Sequence, residues 1–401
     1  MSRFCLLFLA LCASTLRAES FTIEGAVARA LKSNPDLAAA RWSIEEARGR
    51  LYQSGLPSNP ELETELKPNL AGREGAFSIG FVQKFPMTNR LHLERAISQA
   101  ELSAAAAEVG NAERLLRASV RSAAVKLLAL DAQRTLNEKQ RRNSQELADA
   151  AARTAKAGEG SPLDSAHFEL EVQQLSLELL QAESERAALT SELQQLLGTA
   201  RGQTVTIAGA LGAPSGGASG VNPQQRADYQ AAQAKAEAAR AGVELARTGK
   251  RADASVGLTY EREHSEDAGY GMRRENFIGL KFSLPLPLWN KQKGKVTEAS
   301  AAALRAGKET EALALRIQAE ADAARATMKA AADIVTQTGG PLLRKAVELE
   351  ERHLAASKLG QSPMTDVLRS RERRFSLEAA RINALRDYHL ARVRLLAAQG
   401  Y

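Results

Sequence analysis

Two hydrophobic periods run along this chain, one of two residues and one of three to four, and each occurs in both halves. Leu62, Thr64 and Leu66 alternate with Glu61, Glu63, Glu65 and Lys67, and Phe77, Ile79, Phe81 and Phe85 alternate with Ser78, Gly80 and Lys84. Past the midpoint, Val256, Leu258 and Tyr260 alternate with Ser255, Gly257 and Thr259, and Ile278, Leu280, Phe282 and Leu284 with Gly279, Lys281 and Ser283. A period of two sets alternate side chains on opposite faces of a strand. Four strands are therefore predicted, at about 60–68, 76–85, 253–262 and 275–285, each with one apolar and one polar face.

The longer period belongs to helices. No proline occurs from Thr88 to Ala157, and Val109, Ala112, Leu116, Val120, Ala123, Leu127 and Leu130 recur at spacings of three and four. Phe168, Val172, Leu175, Leu179, Ala182, Leu189, Leu193 and Leu196 repeat the pattern over about 163–197, with Arg186 as the one break. This is the seam of a coiled coil. At about 1.5 Å per residue the outgoing helix is roughly 100 Å long, which puts its tip far from the strands. A further helix from about Phe21 to Ser54 has the length needed to stack end to end with the shorter return helix. In the second half Gly339-Gly340-Pro341 interrupts the outgoing helix, where proline must kink or break it.

The chain is duplicated. Ala157-Gly158-Glu159-Gly160-Ser161-Pro162-Leu163-Asp164 returns as Leu359-Gly360-Gln361-Ser362-Pro363-Met364-Thr365-Asp366, and Phe85-Pro86-Met87-Thr88-Asn89 as Leu286-Pro287-Leu288-Trp289-Asn290. Asn34-Pro35-Asp36-Leu37 likewise has its counterpart in Arg226-Ala227-Asp228-Tyr229. The implied division is an export signal at 1–18, a first repeat at 19–197, a Gly-, Ala- and Ser-rich linker or girdle at 198–223 and a second repeat at 224–401. Thr204-Val205-Thr206-Ile207 is a possible short strand within the girdle.

One-sided strands also occur in soluble sheets packed on helices. Here the helices that would cover them are patterned to pack on each other. Transmembrane barrels alternate apolar-out and polar-in over strands of about ten residues, and about eight strands are needed for closure. Four strands can enter a membrane only if several chains pool theirs.

Composition narrows the function. One quarter of the residues are charged and few are aromatic, which favours long helices over one thick core. Arg3, the apolar run Phe4 to Ala13 and Leu16-Arg17-Ala18 read as an export signal cut after Ala18. The run is too short to span a bilayer, and no later stretch reaches about 20 apolar residues. Cleavage there removes Cys5 and Cys12 and lowers the net charge from +7 to +5 with the loss of Arg3 and Arg17; acylation of Cys12 at a weak lipoprotein-like box is the alternative. The basic residues are spread along helices, which gives no reason to expect nucleic acid. His92, His167, His264, His353 and His389 are scattered, there is no phosphate loop, and no nucleophile signature is present. No enzyme, metal site or cofactor is expected.

The opening Glu24-Gly25-Ala26-Val27-Ala28-Arg29-Ala30-Leu31-Lys32-Ser33-Asn34-Pro35-Asp36-Leu37, the strand exit Leu284-Pro285-Leu286-Pro287-Leu288-Trp289-Asn290-Lys291 and the paired Gly-Ser-Pro tips resemble the outer-membrane efflux protein family, the TolC-like channels. The resemblance covers essentially the whole mature chain. It implies a mainly α fold with a β-barrel part: a coiled-coil helical tunnel across the periplasm and four transmembrane strands per chain, completed as a twelve-stranded barrel by a homotrimer. Pro-Leu-Pro-Leu-Trp-Asn before Gly294-Lys295 is similar to the heavy-metal cation-efflux branch, although Trp289-Asn290 stands where Phe-Asp is more usual. The partners implied are a periplasmic adaptor, an inner-membrane pump of the resistance-nodulation-division type and the lipid bilayer.

Gly at each tip lets the backbone turn, Pro opens the return helix where no amide partner is needed, and the nearby Asp can offer its carboxylate to free amides. The resemblance adds adaptor docking and gating for Gly158, Ser161, Pro162, Leu163, Asp164, Gly360, Ser362, Pro363, Met364 and Asp366. In a barrel, Glu61, Glu63, Glu65, Lys84 and Lys281 would line the lumen and bias passing ions; in a soluble sheet they are a solvated face. Glu261 to Asp267 and Gly72 to Glu74 are expected as exposed loops. The function expected is a passive exit duct for efflux cargo, with heavy-metal cations as one cargo. A type I protein secretion duct and a secreted periplasmic coiled-coil scaffold are the alternatives.

Overall fold

The computed structural model describes residues 19–68, 74–158, 161–199, 203, 205–215, 220–251, 253–267 and 271–401. The expected signal with Cys5 and Cys12 lies outside these residues, as do Gly72, Arg73, Glu159, Gly160 and Thr204. The elements in order are β1 (Glu19–Phe21), α1 (Ile23–Ser33), α2 (Pro35–Gln53), β2 (Glu61–Pro68), β3 (Gly75–Phe85), α3 (Arg90–Lys156), α4 (Pro162–Leu197), β4 (Val205–Ile207), α5 (Ala227–Thr248), β5 (Ala254–Asp267), β6 (Gly271–Ser283), α6 (Lys293–Gly339), α7 (Pro341–Lys358) and α8 (Met364–Ala398). They fall into two compact units, one of residues up to Ala38, Ala112–Pro223 and Ile317–Tyr401, the other of Ala39–Asn111 and Gln224–Arg316.

The first unit is held by the predicted seam. Val120, Ala123 and Leu127 of α3 and Leu193 and Leu197 of α4 are buried with Ala26, Val27 and Ala30 of α1 and with Val205 and Ile207 of β4. The three-residue strand β1 pairs in parallel with β4, Glu19 opposite Val205 and Phe21 opposite Ile207. Arg186, the break in the seam, reaches across to Asp131 at 2.8 Å.

The helix expected over 21–54 is two helices. Pro35 disfavours helical backbone in the residue before it, and Asn34 is extended at φ −66°, ψ 124°. The side chain of Asn34 then starts α2: its Oδ1 accepts from Leu37 N at 2.8 Å, while its Nδ2 donates to Leu196 O at 3.0 Å. Gly198, with φ +62°, ends α4 against this junction, where a Cβ would collide with Ser33 O. The α6–α7 break falls at Gly340, with Pro341 opening α7.

The second unit contains a four-stranded antiparallel sheet of order β2-β3-β5-β6. Its register aligns Leu62 with Phe81, Phe81 with Leu258 and Leu258 with Leu280 on one face, and Glu63 with Gly80, Gly80 with Thr259 and Thr259 with Gly279 on the other. The apolar face is uncovered, with Ile278 and Leu280 at 79% and 83% exposure. The helices of this unit bury mainly alanines, Ala47, Ala104, Ala105, Ala231, Ala234 and Ala236 among them, so backbones approach closely without a thick core.

Residues Glu261 to Asp267, expected as a loop, extend β5 and pair with β6 as far as Asp267 opposite Gly271. Both faces are polar there, so the hydrophobic period disappears while the backbone ladder continues.

Gly80 marks close packing on the polar face, because a Cβ on it would come within 2.6 Å of Thr259 Cγ2. Overpacking of this kind costs about 1–3 kcal/mol. Gly80→Ala should lower the thermal stability of the sheet, and adding Thr259→Ala should restore most of it, as read by the midpoint of strand melting. Equal stability of Gly80→Ala and wild type would show that the contact is relieved without loss.

Candidate functional site: the polar sheet face and the helical tips

Alternation places Glu61, Glu63, Glu65 and Lys67 of β2 on the face carrying Lys84 of β3, Glu261 and Glu263 of β5, and Arg273, Glu275 and Lys281 of β6. Four pairs form: Lys84 with Glu61 at 2.5 Å, Lys67 with Glu65 at 3.1 Å, Arg273 with Glu275 at 3.5 Å and Lys281 with Glu63 at 3.6 Å. All are about half exposed, and such pairs contribute little stability. Their importance is the field they set up. Glu261 and Glu263 take no ion pair among the described residues, and Glu263 faces Glu275 directly across the ladder. Among the described side chains the face thus carries six carboxylates against four cations. The alternation that identified Glu61, Glu63 and Glu65 extends to Glu261 and Glu263, but their expected loop placement hid them.

The two tips lie in the first unit. At the first, Gly158 is left-handed with φ +78° and its N–H donates to Ala155 O at 3.1 Å. Ser161 caps α4: its Oγ accepts from Leu163 N at 3.2 Å, Pro162 fills the first helical position, and Asp164 N donates to Ser161 O. The capping role expected of Asp164 therefore belongs to Ser161. Asp164 remains in the first turn, where a carboxylate complements the helix dipole. Leu163 is 70% exposed.

At the second tip Gly360 has φ +70°, and the N–H groups of Gly360 and Gln361 return to Ser357 O and Ala356 O. These two bonds close the helix end. Pro363 stands one position outside α8, with no side-chain cap. Met364 begins the helix, and Asp366 accepts from Ser362 Oγ at 3.4 Å and meets Arg369 at 3.6 Å. Nδ1 of His353 lies 3.4 Å from Ser362 Oγ. The structure thus brings Ser362 and Asp366 together, and among the described residues no hydrogen bond or ion pair joins one tip to the other.

A buried charge cluster behind the second tip was not anticipated. Glu350 of α7 meets Arg371 at 3.3 Å and Arg374 at 2.6 Å on α8; Arg374 also reaches Glu378 at 3.7 Å and lies 4.4 Å over the Phe375 ring. These residues sit roughly equidistant from Gln361 along the two arms. That spacing is the signal by which an antiparallel helical hairpin brings opposite charges together. No group of His, Cys, Asp and Glu able to hold a metal occurs among the described residues. No helix among them is long and apolar enough to cross a membrane.

The family described as outer membrane efflux protein matches residues 26–199. In fold, the chain is similar to CusC, with a TM-score of 0.79 at 17% identity over 94% of this chain and 92% of that one. It is also similar to VceC of Vibrio cholerae, with a TM-score of 0.76 at 18% identity over 94% and 96%, and to the CmeC channel of Campylobacter jejuni, with 0.75 at 17% over 94% and 85%. No curated protein matches it in sequence. The fold of the chain is that of these outer-membrane channels. The family match spans 174 of the 401 residues, all in the first half of the chain.

Loss of the Ser161 cap should cost about 1 kcal/mol, whereas removing Glu350 takes the ion-pair partner from buried Arg371 and leaves Arg374 with Glu378 alone, and should cost about 3–5 kcal/mol. Thermal unfolding followed by helical circular dichroism should rank Glu350→Ala well below Ser161→Ala, and the reverse order would remove the cluster from its stabilising role.

Proposed function

We propose that three copies of this chain form a passive duct through the outer membrane, opened at its periplasmic tips by an adaptor and fed by an inner-membrane pump of the resistance-nodulation-division type. The observation that carries this reading is the sheet. Among the described residues its apolar face has no protein cover, and β2 and β6 each have a strand neighbour on one side only. A periplasmic scaffold leaves that apolar band without a partner. Hydrocarbon outside and further copies at both edges satisfy it completely.

Gly158, Ser161, Pro162, Leu163, Asp164, Gly360, Ser362, Pro363, Met364 and Asp366 form the adaptor-docking and gating ends in this reading. It is supported by two turns of the same design, each with a left-handed glycine and an acidic first helical turn. Glu61, Glu63, Glu65, Lys84 and Lys281 then face the lumen. The finer reading is cation cargo, heavy-metal ions included, favoured by the excess of carboxylates on that face.

Recovery as a detergent-resistant trimer from the outer membrane is the expected result of fractionation, and recovery as a soluble periplasmic monomer would sink the duct. In planar bilayers the channel should prefer cations, and Glu261→Gln with Glu263→Gln should roughly halve that preference. An unchanged ratio would remove these carboxylates from selection. Asp164→Ala and Asp366→Ala should change conductance or its dependence on an adaptor; no change in either assay would leave both residues as first-turn acids only.

A further inference from the structure

Where β5 begins and β6 ends, the second unit carries basic residues without an ion-pair partner among the described residues. Ser255 pairs with Ser283, so the end of α5 and the start of α6 meet at the same edge of the sheet. Lys250 and Arg251 follow α5, and Lys291, Lys293 and Lys295 surround the first turn of α6; none of the five has an ion-pair partner among the described residues, and all are exposed. The loop carrying Lys291 is held close by Gln292, whose Cγ would lie 3.9 Å from a Cβ on Gly249. Gln292 itself is left-handed at φ +55°, with its N–H donating to Asn290 Oδ1 at 3.1 Å.

Helix electrostatics accounts for only half of this cluster. Cations after α5 complement the negative end of its dipole, but lysines in the first turn of α6 face a positive end and are disfavoured there. That turn contains no acidic residue. The corresponding cation of the first repeat, Arg90, is fully engaged, at 2.7 Å from both Glu94 and Asp253. Burial opposes its charge, but the hydrogen bond to Glu94 and the two nearby carboxylates outweigh it and hold the guanidinium above its ordinary pKa.

Beside the free cations lies a cleft of about 560 Å³, lined by Met87, Thr88 and Asn89 of the β3–α3 connection and by Arg247, Lys250 and Arg251. Arg247 is paired with Glu244 at 2.8 Å, leaving Lys250 and Arg251 as the available charges. The adjoining loop projects Trp289, 90% exposed, with Leu286 and Leu288. An indole next to a basic cleft at the end of transmembrane strands is suited to the headgroup level of a bilayer.

We infer that this collar binds the phosphodiester headgroup of an anionic phospholipid in the periplasm-facing leaflet, with Lys250, Arg251, Lys291 and Lys293 supplying the charge and Trp289 the interfacial anchor. The inference rests on the outer-membrane reading above.

The test uses the full-length channel with Trp42→Phe, which leaves Trp289 as the single tryptophan, reconstituted into vesicles of brominated phosphatidylglycerol or brominated phosphatidylcholine. Quenching of Trp289 should report about a tenfold preference for phosphatidylglycerol, lost when Lys250, Arg251, Lys291 and Lys293 are all changed to Gln. Retained quenching of that variant by phosphatidylcholine shows that it still folds and inserts. Equal quenching by both lipids in the parent, or a preference that survives in the variant, overturns the inference and leaves the duct intact. A preference abolished by inorganic phosphate but not by chloride of equal ionic strength identifies a soluble-anion site and overturns the lipid assignment. Absence of quenching by either lipid overturns both this inference and the membrane reading.

Discussion

Along the outer edges of β2 and β6 a row of N–H and C=O groups has no strand partner among the described residues, and beside it lies an apolar face with none of them layered upon it. Water could satisfy the edges but not the face, and hydrocarbon could satisfy the face but not the edges. In the proposed duct both are satisfied together, the β2 edge of one copy meeting the β6 edge of the next in a closed ring inside a bilayer. Much of the rest of the chain serves this requirement. The polar face must hold its charges in a confined space, which Gly80, Gly257 and Gly279 make possible by removing side-chain bulk around Thr259 and Lys281. The helices of the same unit pack through alanine, which suits a thin wall rather than a filled core.

Polar chemistry is managed differently in the two repeats, although they descend from one pattern. The first starts its second helix with the Asn34 side chain. The second meets the same problem at Arg226, buried with its guanidinium on Asp228, whose Oδ1 also accepts from Tyr229 N. The first tip is capped by a hydroxyl; the second has no cap and relies on Ser362, Asp366 and Arg369. Behind it, α7 and α8 are joined by the Glu350 cluster, and α7 is separated from α6 by Gly340. The second hairpin is thus fastened internally by charge while its connection to α6 is a helix break.

Periodicity made the four strands and the α3–α4 seam legible, because both depend on side chains that alternate between two environments. It could not show where β5 ends, since from Glu261 onward neither face is apolar and only the backbone ladder persists. The break at Asn34-Pro35 was present in the residues, yet helical periodicity on either side concealed it. The strand β1 had no signal of its own: three residues acquire strand geometry solely by pairing with Val205–Ile207, nearly two hundred positions away. At the tips, sequence located the turns but assigned the cap to the wrong side chain, because Ser161 and Asp164 both have capping chemistry and only backbone register decides between them. The Glu350 cluster required a distance measured from the turn rather than along a helix face.

The pairing of β1 with β4 also bears on the order of events during export. The buried cluster of α1, α3, α4 and β4 contains no residue beyond Ile207, with Leu211 packed on its edge. A chain threading outward from its amino end can therefore complete that cluster while its second half is still inside the cell. The sheet cannot form so early, because β3 needs β5, and its apolar face is assembled only after nearly three quarters of the chain has emerged. The apolar sheet face is thus built after that cluster, which shortens the interval in which it lies uncovered.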